Sequence, residues 1–88
     1  MTMAEIFRIS GFKIVIFSDD HDPPHVHVRK GDFEVKIDIS GDQAELVSGE
    51  ESSRRAADRK LRKQALKIAN DNLERLINEW RQIDAERD

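Results

Sequence analysis

Two imidazoles, His25 and His27, stand two residues apart directly after Pro23-Pro24, with His21 four residues before the first. Asp19, Asp20 and Asp22 crowd the same stretch. Side chains alternate faces in an extended segment, so His25, His27 and Arg29 point one way, and Val26 and Val28 point the other. A His-x-His pair of this kind can converge on one metal ion. Zn²⁺ would take His25 and His27, with His21 or a carboxylate (Asp19, Asp20, Asp22 or Asp38) as third ligand and a position left open for water. Asp38 could instead orient His25 from behind. Without a metal, the same imidazoles suit acid–base cleavage of RNA through its 2′-hydroxyl, with Arg29 or Lys36 on the phosphate. The catalytic set of that reading is His25, His27 and Arg29. A plainer alternative makes the histidines structural, with Pro-Pro fixing the turn and the imidazoles satisfying its backbone groups.

The elements that must hold these residues are strands. Ile6 to Ile9 and Phe12 to Phe17 read as a first hairpin closed at Ser10-Gly11, the second strand well buried because Val15 breaks polar alternation. Ser18 to Pro24 carries three Asp and two Pro and is read as an irregular, stiff connection. His25 to Lys30 then pairs with Phe33 to Ile39, where Phe33, Val35, Ile37 and Ile39 form one face and Glu34, Lys36 and Asp38 the other. Gly is favoured first in a type II′ turn, so a Gly31-Asp32 loop is preferred over a Lys30-Gly31 loop. That choice sets Arg29 opposite Glu34, His27 opposite Lys36 and His25 opposite Asp38. A weak strand is expected around Ala44 to Val47.

Ser52 or Ser53 reads as an N-cap, with Glu50 and Glu51 near the positive end of a helix dipole. From about Arg54 to Ala85 the pattern is helical. Leu61, Ala65 and Ile68 make one apolar stripe; Leu73, Leu76, Trp80 and Ile83 make another, displaced sideways. The displacement falls at Asn70-Asp71-Asn72, poor helix formers, which predicts a bend or break. A straight helix of this length would run to about 45 Å, too long for a few short strands to cover. Surplus apolar surface is therefore expected on the face of Leu73, Leu76, Trp80 and Ile83, docking a protein partner or a second copy.

Composition narrows the classes. Eighty-eight residues make a single domain, 1–88, with a β-meander over about 5–48 and a helical part over about 53–86. Hydrophobic and charged residues each make up 38%, a thin core that a partner chain would help. No apolar run approaches the roughly 20 residues needed to span a bilayer, and no secretory leader pattern opens the chain. The absence of Cys excludes thiolate metal sites and fits a reducing cytoplasm. The net charge of −3 is unevenly distributed: residues 1–51 hold 5 basic against 11 acidic side chains, residues 52–88 hold 10 against 7. Arg55, Arg59, Arg62 and Lys63 are candidates for nucleic-acid contact, or simply the wet side of a helix.

Three stretches, EIFRISGFKIVIFSDDHDPPHVHV, KGDFEVKIDI and NLERLINEW, resemble the small bacterial family known as domain of unknown function 4160. The most specific part is Asp20-His21-Asp22-Pro23-Pro24-His25-Val26-His27-Val28; the helical half matches through Leu73, Leu76 and Trp80. The segment Ser52–Lys63 is more basic than the family pattern. The resemblance implies a small cytoplasmic protein, encoded beside a partner in paired genes resembling toxin–antitoxin modules, and it implies no particular reaction.

The expectation is thus an α+β domain, an antiparallel meander of three to four strands followed by a long C-terminal helix, bent near 70–72. Its expected role is a binding module in a two-protein system. The competing role is a small histidine-dependent nuclease, with a divalent metal such as Zn²⁺ as its candidate cofactor.

Overall fold

The computed structural model describes residues 3–17, 23–47 and 58–86. An antiparallel sheet comes first: β1 (Met3–Ile9), β2 (Phe12–Phe17), β3 (His25–Lys30), β4 (Phe33–Asp38) and the short β5 (Glu45–Leu46), in the order β1-β2-β3-β4-β5. Two helices follow, α1 (Asp58–Asp71) and α2 (Leu73–Ala85). The α+β expectation holds. Two details are corrected: among the described residues the meander has five strands, and the single long helix is two.

The first hairpin closes through Ser10 and Gly11, both in the left-handed region (φ 52° and 82°), the turn whose twist matches its strands. Strand β1 starts earlier than the apolar run Ile6–Ile9 suggests. Its pairing with β2 shifts between Glu5 and Phe7, leaving Ile6 as an extra residue. Such a bulge reverses the facing of everything on one side of it. Glu5 and Arg8, an odd number of residues apart, therefore share a face, and Arg8 Nε donates to Glu5 Oε2 at 2.9 Å.

The second hairpin has the expected register, with His25 opposite Asp38, His27 opposite Lys36 and Arg29 opposite Glu34. Gly31 takes φ 61°, as the first central residue of a type II′ turn must. One sheet face is apolar: Phe12, Ile14 and Ile16 from β2, Val26 and Val28 from β3, Phe33, Val35 and Ile37 from β4, with Ile39 beyond, all buried. The edge strand β5 is extended by Val47 N–H donating to Lys36 O at 3.0 Å.

Helix α1 lies on β4, where Ala65 and Ala69 let the backbones approach closely, and both are fully buried. Asn72 ends the run. Its N–H turns to Ala69 O, three residues back, while its side-chain Nδ2 donates to Ile68 O at 2.8 Å, taking the place of a backbone donor. Its φ of −122° departs from helical geometry and separates α2 from α1. The expected break at 70–72 is therefore real. Helix α2 buries Leu76 and Trp80 in the core, and Arg75 sits 4.7 Å over the Phe7 ring of β1. The expected helix start at Ser52 or Ser53 lies outside the described residues.

Candidate functional site

Strand alternation and register place His25, His27 and Arg29 on the sheet face opposite Val26 and Val28, with Val15 and Phe17 of β2 and Glu34, Lys36 and Asp38 of β4. That face is not simply wet. Val15 is fully buried and His25 is only 5% exposed.

Four rings run from β2 to α2. Phe17 meets His27 edge-on at 4.7 Å, His27 meets His25 at 5.3 Å, and His25 meets Trp80 at 5.2 Å between centroids. Such geometries add to plain area burial. His25 Nδ1 lies 2.8 Å from Pro23 O; a carbonyl can only accept, so Nδ1 carries the hydrogen and donates. The backbone of the Pro-Pro segment also continues the sheet, since Ile39 N–H donates to Pro24 O at 3.0 Å.

Asp38 stands opposite His25, but its Oδ1 accepts from Ser40 Oγ at 2.6 Å and Ser40 N–H at 2.7 Å. These two bonds, first the hydroxyl and then the amide, hold its carboxyl below the usual carboxylate range, and His25 adds a smaller charge contribution. Its acceptor is thereby committed to the turn after β4. The orienting bond expected from Asp38 to His25 is replaced in part by the one from His25 to Pro23.

Glu34 is an addition to the residues expected at the site. One of its oxygens accepts from Arg29 Nε at 2.7 Å and the other lies 3.4 Å from His27 Nδ1. It is a diagonal neighbour of His27 across the β3–β4 ladder, a relation visible only once the register is fixed. Arg29 also lies 5.8 Å from the Phe17 ring centroid.

The candidate metal set is only partly visible. His21 and Asp20, like Asp19 and Asp22, lie outside the described residues, and so does Arg55. Among the described residues no three His, Cys, Asp or Glu side chains are grouped so as to hold a metal ion. His27 Nε2 is turned inward, away from solvent. Of the candidate nucleic-acid residues, Arg59 and Lys63 are exposed on α1 and Arg62 is half-buried.

The expected partner face is not surplus. Leu76 and Trp80 are buried within the chain, and Leu73 and Ile83 are half-buried against the same core. The expectation assumed a straight helix overhanging the sheet. The break at Asn72 folds both halves onto it instead.

A family comparison covers most of this architecture, from Gly11 of the first hairpin turn to Arg81 within α2: the family described as "Domain of unknown function (DUF4160)" matches residues 11–81. The chain belongs to that family. No curated protein and no solved structure matches it. The matched span includes the histidine face, the second hairpin turn and the Asn72 break, whereas β1 and Ser10 of the first turn precede it. For the described residues, no helix is long and apolar enough to cross a membrane.

Proposed function

We propose that this member of the DUF4160 family is a binding module, one component of a two-protein cytoplasmic system resembling a toxin–antitoxin pair, and that its histidines hold the fold. The observation that supports this over a histidine-dependent nuclease is the setting of His25. A general acid or base must come within hydrogen-bond reach of a substrate proton. His25 is buried, tied through Nδ1 to Pro23 O and packed between Trp80 and His27. These contacts join the β2–β3 connection to α2, which is structural work.

The test pairs two measurements. The protein and the product of its neighbouring gene are co-expressed and purified through a tag on one of them, and the His25→Gln/His27→Gln double variant is melted beside the parent. The binding reading expects a stoichiometric complex, no ribonucleotide cleavage with or without Zn²⁺ or Mn²⁺, and a variant less stable by about 1–3 kcal/mol from buried groups left unpaired. A parent that cleaves RNA, with a variant that folds normally and loses that activity by about 10²–10⁴-fold, would replace this reading with the nuclease.

A further inference from the structure

Three cations stand in one cross-strand row on the histidine face. Arg8 of β1 is directly opposite Lys13 of β2, and Lys13 is directly opposite Arg29 of β3. Like charges placed so are destabilising, because their Cβ atoms lie only about 4.5–5.5 Å apart. Lys30, next along β3 and so on the other face, brings its ammonium to the same end of the sheet, over the Phe12 ring at 4.9 Å and beside Gly11. Carboxylates temper the row. Glu5 serves both Arg8 (2.9 Å) and Lys13 (3.8 Å), and Glu34 serves Arg29. Asp32 stands at the adjoining turn.

Arg8, Lys13, Arg29 and Lys30, with Asp32 and Glu34, line a cleft of about 540 Å³ between the two hairpin turns, with Gly11 and Gly31 on its rim. The space beside Gly31 is open, with nothing within 4 Å of where a Cβ would stand. The two-residue turn at Ser10-Gly11 sets Arg8 opposite Lys13, and the bulge at Ile6 brings Glu5 round to the same face.

We propose that this row, Arg8, Lys13 and Arg29, with Lys30 reaching the same cleft from the sheet end, binds the phosphodiester backbone of a nucleic-acid strand. Three strands side by side make a row about 10 Å long, which suits phosphates in succession better than a single phosphate. A ligand that brings negative charge relieves the repulsion the row carries when empty. The chain as a whole is −3, so the attraction is local and strongly screened by salt. The proposal goes beyond the two-protein reading and does not depend on it.

The test is fluorescence anisotropy with the full chain and a labelled single-stranded oligonucleotide of mixed sequence. Three to four phosphate contacts give a slope of log affinity against log salt of about −2 to −3 between ~50 and ~200 mM. Arg8→Gln/Lys13→Gln should weaken binding at least about tenfold and make the slope shallower by about 1.4. The same variant should melt no earlier than the parent, since two opposed like charges are gone and only exposed ion pairs are lost. Should that pair fail to fold, Arg8→Gln alone, at a side chain 66% exposed, gives the same readout at half the slope change. Arg59→Gln/Lys63→Gln on α1 should leave binding as it is. Absence of binding by the parent at low salt overturns the proposal. So does parental affinity in the first variant, or a loss seen only in the α1 variant. Tripolyphosphate competing better than unlabelled oligonucleotide, at equal phosphate concentration, would also overturn the nucleic-acid assignment.

Discussion

The His25 ring makes two separable contributions, a hydrogen bond to Pro23 O and ring contacts with Trp80 and His27. His25→Phe keeps an aromatic ring beside Trp80 but leaves the Pro23 carbonyl without that donor, a loss of about 1–3 kcal/mol. His25→Asn can keep a donor near that carbonyl and loses the ring instead. Both variants should unfold at lower urea than the parent. A His25 present only for chemistry would leave both curves unmoved. Asp38 gives the matching acid-side prediction. Its carboxyl is held below the ordinary range by Ser40, so the folded state favours the ionised form. That stability is present above the ordinary carboxylate pKa and is lost as pH falls through the lowered one. Asp38→Asn keeps the acceptor for Ser40 and removes the titration. The melting-temperature gap between parent and variant should therefore be open at neutral pH and close as the pH drops below about 4.

Among elements, the two hairpin turns should respond in opposite directions to small changes. Ser10 occupies the left-handed region, which an L side chain other than Asn or Asp adopts at a cost of about 1–2 kcal/mol. Ser10→Asn should therefore stabilise the protein by several tenths of a kcal/mol or more. Gly31→Ala meets open space, so its cost is backbone strain alone, again about 1–2 kcal/mol, read as an earlier urea midpoint at an unchanged slope. The same turn explains why the second hairpin was legible in the sequence. Gly31 in first place fixed one loop, and the alternation from Phe33 to Ile39 fixed the facing, so His25, His27 and Arg29 could be set against Asp38, Lys36 and Glu34. The break near 70–72 was legible too, because two apolar stripes cannot share one straight helix. Strand β1 was read short because the bulge at Ile6 breaks the period-two pattern that marks a strand. Glu34 beside His27, and Trp80 against His25, were not legible: one is a diagonal across a ladder, the other a contact between residues 55 apart in the chain.

For the whole molecule, the question is whether the chain covers its own apolar surface. Among the described residues the exposed large hydrophobic side chain is Ile9, 43% accessible, and the helix face expected to be surplus is packed. A domain of this size has about 4–13 kcal/mol of stability at 0.05–0.15 kcal/mol per residue. Leu76 is fully buried, and truncating such a side chain costs about 2–5 kcal/mol, a large part of that total. Two arrangements then give different results for Leu76→Ala. If Leu76 serves the chain's own core, the variant melts much earlier than the parent, the melting temperature of both is independent of protein concentration, and light scattering returns the same mass for the two. If α2 instead docks a second copy, the parent's melting temperature rises with concentration by mass action, and the variant loses both that dependence and the larger mass. The burial of Leu76 and Trp80 beneath the same sheet predicts the first outcome. A concentration-dependent melt of the parent that Leu76→Ala abolishes would mean that α2 leaves the sheet to make the contact.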